Sequence, residues 1–321
     1  MSSLPLRRFL FIMDPIERIL PDKDTTFVFM LESQRRQHEV YYCTLPDLFV
    51  RDAVPYARGR RVEVMRGTPH HRALEERTEP LEWFDTVFMR KDPPVDAAYV
   101  FTTQLLSLVD PHRTLVINDP RALRDANEKL YALHFPAAIP PTLVTSDIPQ
   151  LKDFMEHVGG EMIVKPLDGC GGLGVFHLQK GDRNLNSILE LSTDGGRRLI
   201  MAQQYLPAVR RGDKRVIVLD GKPIGATLRV PREDDNRGNI HVGGTCVKAE
   251  LTERDQAIIR LVGARLRSDG LLFVGLDIIG DYLTEVNVTS PTGVQEINAL
   301  DGTCLEAEVI DCVESRLPHG R

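Results

Sequence analysis

The first 123 residues alternate short apolar runs with longer segments whose apolar residues recur at helical spacing. We predict strands at residues 8–13, 39–43, 86–89 and 114–118, and helices at residues 25–37 and 97–109. Strands separated by helices favour an α/β layer with a largely parallel sheet. Polar loops at Asp14-Pro15 and at residues 90–94 directly follow predicted strands. Open α/β sheets bind their ligands at such strand ends.

From Pro120 onward, prolines separate short predicted helices, and we place a domain boundary near residues 121–124. We predict an N-terminal domain at residues 1–123 and a second domain at 124–321, divided into a central lobe (124–203) and a C-terminal lobe (204–321). The predicted elements of the second domain are strands at residues 161–165, 174–179, 199–203, 215–219 and 225–230, and helices at residues 121–130, 253–268 and 305–316. Strands with helices set apart from them indicate α+β architecture.

A hairpin near the end of the chain has the composition of a metal site. Two apolar runs rich in β-branched residues flank Gly280-Asp281, which is typical of paired strands around a turn. Glu285 and Asn287 are two residues apart and share one face of the second strand. Oxygen ligands without His or Cys suit Mg²⁺, which favours carboxylates together with phosphate oxygens. A metal here implies a nucleotide, whereas a solvated strand face without a metal is the alternative.

Asp277 completes this set only for one length of the connecting loop. A loop of residues 280–282 places Asp277 opposite Glu285, whereas a two-residue turn pairs it with Thr284 and points it away. The metal interpretation therefore predicts a three-residue loop.

A glycine-rich segment follows the predicted strand that ends at Lys165, with glycines at positions 169, 171, 172 and 174. Such a loop brings bare backbone N–H groups against phosphate oxygens, because glycine permits close approach and positive φ. It is not a P-loop, since that motif ends in Gly-Lys-Ser/Thr and opens a helix, whereas a second strand is expected here. The segment is either a lid over a triphosphate, with Lys165 on the phosphates, or a hairpin loop without function.

Two further segments are ambiguous by themselves. Gln204, Tyr205 and Leu206 end a predicted strand and are typical either of an adenine contact or of an interdomain hinge. The basic run at 210–237 predicts either carboxylate and phosphoryl recognition by guanidinium groups or a solvated face. The polar, glycine-punctuated residues 232–246 predict a mobile loop that excludes water.

Composition removes several functional classes. A net charge of −6 and a pI near 5.9 give no electrostatic reason to bind nucleic acid or an anionic membrane. The apolar stretches are shorter than the roughly 20 residues that a membrane span needs. The five cysteines are scattered and indicate neither a disulfide framework nor a zinc site, so the cytoplasm is expected. We expect His70-His71 to lie in a surface loop.

Taken together, eight segments resemble the bacterial glutathione synthetase family of the ATP-grasp superfamily, and the resemblance runs from about residue 8 to residue 316. These segments are Asp14-Pro-Ile, Met89-Arg-Lys-Asp-Pro-Pro94, Leu123-Arg-Asp-Ala-Asn-Glu-Lys129, Lys165-Pro-Leu-Asp-Gly-x-Gly-Gly, Gln204-Tyr-Leu-Pro-Ala, Gly212-Asp-Lys-Arg215, Phe273-Val-Gly-Leu-Asp277-Ile-Ile-Gly and Thr284-Glu-Val-Asn-Val-Thr-Ser-Pro-Thr292. The resemblance implies an ATP-grasp fold, in which two α+β lobes grip a nucleotide, preceded by a Rossmann-like α/β domain.

The resemblance also implies roles for individual residues. The implied ATP contacts are Lys129, Lys165, Gly169, Gly171, Gly172, Gly174, Gln204, Tyr205, Leu206 and Asp213. The implied ligands of two Mg²⁺ ions, for which Mn²⁺ can substitute, are Asp277, Glu285 and Asn287. The implied catalytic residues are Arg215, Arg237 and Lys165, with both arginines facing the reacting carboxylate. The other implied substrate contacts are Arg90, Lys91, Ser290, Pro291 and Thr292.

The implied activity is ATP-dependent ligation of γ-glutamylcysteine with glycine to form glutathione, ADP and phosphate through an acyl phosphate, by a homotetramer. Two alternatives stay open: another carboxylate–amine ligase, acting on glutamate or a D-amino acid, and a nucleotide-binding regulator without turnover. The chain departs from the family at Thr245 and Gln295, where relatives often carry a basic residue. The choice of acceptor is therefore an open point.

Overall fold

The computed structural model describes residues 6–231 and 244–318. Within them the strands are β1 Arg8–Ile12, β2 Glu39–Cys43, β3 Leu48–Arg51, β4 Val54–Val64, β5 His71–Pro80, β6 Thr86–Met89, β7 Leu115–Ile117, β8 Thr142–Thr145, β9 Glu161–Pro166, β10 Phe176–Gln179, β11 Ile200–Gln204, β12 Asp213–Leu219, β13 Lys222–Val230, β14 Thr245–Lys248, β15 Phe273–Ile279 and β16 Tyr282–Asn287. The α-helices are α1 Thr25–Arg35, α2 Ala97–Leu106, α3 Pro120–Asp125, α4 Ile148–His157, α5 Leu185–Ser192, α6 Glu253–Ser268, α7 Val294–Asp301 and α8 Leu305–Glu314. None of the helices in this described part is long and apolar enough to cross a bilayer.

The N-terminal sheet has the order β3-β4-β2-β1-β6-β7, with β5 paired to β4. The pairs β1–β2, β1–β6 and β6–β7 are parallel, whereas β2–β4, β3–β4 and β4–β5 are antiparallel. The prediction of a largely parallel sheet is therefore wrong for the β3–β5 half. Asp52 and Ala53 take positive φ in the two-residue turn between β3 and β4, and such turns can join only antiparallel strands.

His71 opens strand β5, and the Nε2 atom of His70 lies 2.7 Å from the carbonyl oxygen of Ile16. The expectation of a surface loop is therefore wrong for His71, whereas His70 lies in the connection between β4 and β5. The reason is that the charged residues of β5 pair across the strands with arginines of β4, for example Glu75 with Arg61. Such a strand shows no apolar alternation in the sequence.

The central lobe is an antiparallel sheet of order β10-β9-β11-β8 backed by α4 and α5. Strand β10 pairs with β9 through Phe176 opposite Val164. The prediction that a second strand follows the glycine-rich segment is thus confirmed. The lobe has a small core of its own, formed by Leu151, Met155, Met162, Val164, Leu178, Leu189, Ile200 and Ala202.

The C-terminal lobe is built on an antiparallel sheet of order β14-β13-β12-β15-β16. Its α6 begins at a capping box in which Thr252 and Asp255 satisfy each other's backbone N–H groups. The lobe shares a core with the N-terminal sheet, since Phe9 and Phe88 belong to the same buried cluster as Val309. Arg36, directly after α1, also contacts α8: its Nη1 atom lies 2.5 Å from Oδ1 of Asp311.

The hairpin β15–β16 turns through two residues, Gly280-Asp281, because Ile279 pairs with Tyr282. The prediction of a three-residue loop is therefore wrong. A β-bulge restores the expected pairing: Ile278 faces Leu283, but Asp277 faces Glu285. The bulge adds one residue to β16 and so reverses the face that the following side chains occupy.

The predicted helix at residues 121–130 is also wrong beyond its first half. Helix α3 ends at Asp125, and a 3₁₀ turn begins only at Leu130. The Oδ1 atom of Asn127 accepts hydrogen bonds from the backbone N–H groups of Lys129 and Leu130 at 3.1 and 3.0 Å. Such a local side-chain bond competes with helix continuation, and Lys129 therefore lies on an irregular segment.

Candidate active site

A cleft of about 830 Å³ separates the central sheet from the C-terminal sheet. Strands β9 and β11 and the glycine-rich segment form one wall, and β12, β15 and β16 form the other. Loops of the N-terminal domain, including Asp14 and Asp92, close one end. These two loops follow strands β1 and β6 and meet, since Nζ of Lys91 lies 3.1 Å from Oδ1 of Asp14. The volume is that of a small-molecule site.

Asp277 is buried at the base of this cleft among cationic side chains. Its two oxygens lie 2.6 Å and 3.1 Å from the Nε and Nη2 atoms of Arg215. Arg229 approaches the same carboxylate at 3.0 Å. Burial alone would raise the pKa of Asp277, but the two arginine charges lower it well below its usual range. The carboxylate therefore stays ionised at neutral pH.

Glu285, opposite Asp277 in the hairpin, faces two buried lysines. Its Oε1 atom lies 3.5 Å from Nζ of Lys165 and 3.8 Å from Nζ of Lys129. Lys165 also donates to the carbonyl oxygen of Thr284 at 3.2 Å. Burial lowers the pKa of Lys165, against the pull of the Glu285 charge. Two ammonium groups thus converge beside one carboxylate, as a phosphate group and its cation require.

The donor atoms of the hairpin fit Mg²⁺. Asn287 donates its amide nitrogen to Gly275 at 3.3 Å and to Asp277 at 3.1 Å, which leaves its amide oxygen as the ligand atom. Two carboxylates and one amide oxygen form an oxygen-only set, and Mg²⁺ completes such a set with water and phosphate oxygens. In the described part of the chain, no group of three His, Cys, Asp or Glu side chains is arranged to hold a metal by itself.

The glycine-rich segment, residues 169–174, is called the glycine lid below. Gly171, Gly172 and Gly174 have φ values of 63°, 79° and 73°, which side chains rarely adopt. At Gly169 the limit is space, since a Cβ atom would lie 2.6 Å from Cγ of Pro166. Nζ of Lys129 donates to the carbonyl oxygen of Gly169 at 2.6 Å and ties the lid to the lysine pair.

Another part of the cleft wall carries a stacked aromatic pair. Tyr205 stacks on His177 with ring centroids 3.9 Å apart and planes inclined by 16°. Gln204, Leu206 and Ile163 line the same part. Such a surface accepts a planar heteroaromatic ring. The sequence analysis missed His177, although its place in the predicted strand after the glycine lid is a usable signal.

Asp213 and Arg229 form a second buried ion pair on the cleft wall. Burial raises the pKa of Asp213 to about 6, against the pull of Arg229. One oxygen of Asp213 and the Nε atom of Arg229 are buried without a hydrogen-bond partner among the described residues. Buried polar atoms of this kind call for a ligand or water. Arg229 lay in the predicted basic run but had no assigned role.

A turn after β16, residues 289–292, lines another part of the cleft and is called the peptide turn below, after the role that the resemblance implies. Ser290, Pro291 and Thr292, the implied substrate contacts, line the cleft. Arg90 is only 5% exposed and donates to the carbonyl oxygen of Pro291 at 3.0 Å and to Oγ1 of Thr26 at 3.0 Å. Arg90 therefore supports the turn from behind. Burial lowers its pKa to about 10.

Arg237, the other predicted catalytic arginine, lies outside the described residues, as do residues 232–243 of the predicted water-excluding loop. The structure therefore brings together the predicted lysines, three of the four predicted glycines (Gly169, Gly171 and Gly172), Arg215 and the predicted hairpin ligands in one cleft. Lys91 lies beside Asp14 at its edge. Among described residues, the sequence analysis missed Glu128, His177 and Arg229 as parts of this cleft.

Comparisons with known proteins agree with this geometry. The family model "Prokaryotic glutathione synthetase, N-terminal domain" matches residues 8–124, and "Prokaryotic glutathione synthetase, ATP-grasp domain" matches residues 128–302. A glutathione synthetase from Gloeobacter violaceus is 49% identical over 310 residues, which cover 95% of each chain. One from Thermosynechococcus vestitus is 47% identical over 312 residues, covering 94% of this chain and 97% of the relative.

A solved structure, D-cycloserine synthetase DcsG, superposes with a TM-score of 0.67 at 16% identity, covering 97% of this chain and 99% of that one. At this identity the likeness concerns the fold. The predicted architecture, an α/β domain followed by an ATP-grasp domain, is confirmed by the two family models and by this superposition.

Proposed function

This chain belongs to the prokaryotic glutathione synthetase family, and we propose that it joins γ-glutamylcysteine to glycine with ATP as the phosphoryl donor. It is an ATP-dependent ligase of glutathione biosynthesis. One observation supports the chemistry of this proposal. A single cleft holds Lys129, Lys165, Arg215 and the two hairpin carboxylates, Asp277 and Glu285.

In the first step, an oxygen of the cysteine carboxylate attacks the γ-phosphorus of ATP. A bond forms between this carboxylate oxygen and the γ-phosphorus, the bond between the γ-phosphorus and the bridging β-phosphate oxygen breaks, and ADP leaves. Activation is needed because a carboxylate is a poor electrophile. Lys129 and Lys165 would bind the phosphate oxygens, and Arg215 would face the carboxylate being phosphorylated, so that positioned cations stabilise charge that spreads in the transition state.

In the second step, the amine of glycine attacks the acyl carbon and loses a proton, and inorganic phosphate leaves. The new bond is the peptide bond of glutathione. No side-chain nucleophile is required for either step. Water must be excluded, since it would hydrolyse the acyl phosphate. The glycine lid and residues 232–246 are the proposed barriers, and Arg237 in the latter would contact the substrate.

Asp277, Glu285 and Asn287 would hold two Mg²⁺ ions, or Mn²⁺ in their place. Bound metal would neutralise charge on the phosphate oxygens. Gln204, Tyr205 and Leu206, with His177 beneath the tyrosine ring, would hold the adenine, and Asp213 would contact the nucleotide. The peptide turn and Lys91 would bind the dipeptide. Arg90 would support the turn through its hydrogen bond to the carbonyl oxygen of Pro291.

The proposal is tested by Mg²⁺-dependent phosphate release from ATP with γ-glutamylcysteine and glycine, with glutathione identified by mass. Mixtures that lack one substrate are the controls. Release that needs both substrates, with glutathione formed, is the expected result. Release with another carboxylate–amine pair, such as glutamate or a D-amino acid, would contradict the proposed substrates, and nucleotide binding without turnover would contradict ligation.

We also propose a symmetric homotetramer. Helix α2 supports self-association, because its outer face exposes Phe101 at 66% and Leu108 beyond its end at 52%. No charged residue lies between Ala97 and Val109, so two copies of this face could meet without burying a charge. Light scattering on wild type and Phe101→Glu tests this: a tetramer that dissociates is expected, and a monomeric wild type would contradict it.

The proposed compartment is the cytoplasm. The five cysteines of the chain are all free, and free thiols are typical of a reducing compartment. Fractionation of the source cells tests this proposal.

A further inference from the structure

Glu128 lies directly behind the peptide turn. Its Oε1 atom accepts three hydrogen bonds, from the N–H groups of Val288 and Thr289 at 3.0 and 3.2 Å and from Oγ1 of Thr289 at 2.8 Å. Its backbone oxygen accepts the N–H of Val286 at 2.9 Å. One carboxylate oxygen thus satisfies the donors at the point where β16 ends and the peptide turn begins.

The two residues that flank Glu128 contact the glycine lid and the chain just before it. The side-chain nitrogen of Asn127 donates to the carbonyl oxygen of Leu167 at 2.9 Å, and Nζ of Lys129 donates to that of Gly169 at 2.6 Å. Three consecutive residues therefore contact the lid on one side and the peptide turn on the other. The position of the turn relative to the lid is set through this short segment.

The far side of the peptide turn is held differently. Arg90 donates to the carbonyl oxygen of Pro291 at 3.0 Å, and Arg215 donates to that of Thr292 at 3.1 Å. Cationic side chains thus hold the carbonyl groups, whereas the amide groups at the start of the turn depend on Glu128. Arg90 and Arg215 cannot replace it, because an arginine has no acceptor atom.

We propose that Glu128 is a positioning residue, which holds the peptide turn in register with the glycine lid so that the dipeptide carboxylate meets the γ-phosphate. The inference rests on the proposed function, since it names the part of the cleft that receives γ-glutamylcysteine. Glu128 acts through the turn and does not itself take part in bond formation. The role needs an acceptor oxygen at Oε1 rather than a negative charge.

The test compares wild type, Glu128→Gln and Glu128→Ala by kcat, by KM for γ-glutamylcysteine and ATP, and by direct ADP binding. Glutamine keeps the acceptor oxygen and is expected to stay within about threefold of wild type, because neutral acceptors satisfy amide donors. Alanine leaves buried donors unpaired and is expected to raise KM for the dipeptide about tenfold or more. ADP affinity should be unchanged in both variants, since Asn127 and Lys129 remain.

Three results would overturn the proposal: an alanine variant with wild-type KM for the dipeptide, equal rises in both KM values, or a glutamine variant as impaired as alanine. If Glu128→Ala does not fold, Thr289→Val removes one of the same hydrogen bonds. It should then raise KM for the dipeptide alone, and an unchanged or evenly raised pair of KM values would contradict the role. Wild-type protein that makes no glutathione refutes the proposed function before any variant is compared.

Discussion

A Glu285→Gln variant is expected to lose turnover while its free energy of unfolding stays within about 1 kcal/mol of the wild-type value. The ion pairs of Glu285 with Lys165 and Lys129 are long, at 3.5 and 3.8 Å, and its side chain is 25% exposed. Long pairs to a partly exposed carboxylate contribute little to stability, and the two lysines keep the carbonyl oxygens of Thr284 and Gly169 as hydrogen-bond acceptors. A lost metal ligand removes several kcal/mol of transition-state stabilisation, so kcat should fall by roughly 10³-fold.

Asp277 provides the contrast within the same hairpin. It is buried against Arg215 at 2.6 Å and Arg229 at 3.0 Å, so Asp277→Asn leaves buried guanidinium charge without its carboxylate. Breaking a buried pair in this way costs about 3–5 kcal/mol of stability. Asp281→Asn is the matched control, since it removes an equal charge from the exposed turn of that hairpin. It should change neither stability nor turnover.

Urea unfolding followed by circular dichroism measures stability, and phosphate release with both substrates measures turnover. The expected order of stability is Asp281→Asn equal to wild type, Glu285→Gln close to it, and Asp277→Asn well below. Wild-type turnover in Glu285→Gln would refute the assignment of this carboxylate to the metal. A Glu285→Gln variant as unstable as Asp277→Asn would refute the account of the two carboxylates.

Other predictions concern the lysine, the ring platform and the lid. Burial lowers the pKa of Lys165, whereas bound phosphate favours its charged form. ATP binding should therefore take up protons as the pH rises through the lowered pKa. Calorimetry in buffers of different ionisation enthalpy measures this uptake, and a binding enthalpy that does not depend on the buffer would contradict it. Tyr205→Ala removes the ring stacked on His177 and should weaken ATP binding about tenfold, with KM for glycine unchanged. Gly169→Ala places a Cβ atom 2.6 Å from Cγ of Pro166 and should raise KM for ATP. Asp168→Ala, at the exposed position directly before the lid, is its control. Equal behaviour of the two variants would contradict the packing argument.

The sequence predicted the elements that follow local rules and failed where tertiary pairing decides. Strands β2 and β6 and helix α6 have the predicted bounds, because their apolar periodicity is uninterrupted. Strands β3 to β5 were missed, and β4 and β5 satisfy each other by charge across the strands. Their signal was a turn with two positive-φ residues, Asp52 and Ala53, which local composition does not reveal.

The hairpin shows the same limit within the site. Sequence reasoning placed Asp277 opposite Glu285 and derived a loop of three residues from that condition. The pairing is present, but a bulge in β16 produces it around a two-residue turn. The bulged residue Thr284 makes a non-local contact, since its carbonyl oxygen accepts a hydrogen bond from Lys165 of the central sheet across the cleft. Sequence reasoning from local composition cannot supply such a contact.

Residues that line the cleft were predictable when their chemistry is unusual in the sequence. Lysines beside glycine runs and paired acidic residues in a hairpin are such cases. Glu128 was not, because its role lies in the backbone donors it meets after residue 287, far along the chain. His177 gained its role only when β10 placed it beneath Tyr205.

The central claim is that a carboxylate is activated as an acyl phosphate in this cleft. We would supply γ-glutamylcysteine with ¹⁸O in both oxygens of the cysteine carboxylate, together with ATP, Mg²⁺ and glycine, and analyse the released phosphate by mass. Transfer to phosphorus followed by amine attack predicts one labelled oxygen in each phosphate and the other in the peptide carbonyl of glutathione. Unlabelled phosphate would contradict the claim.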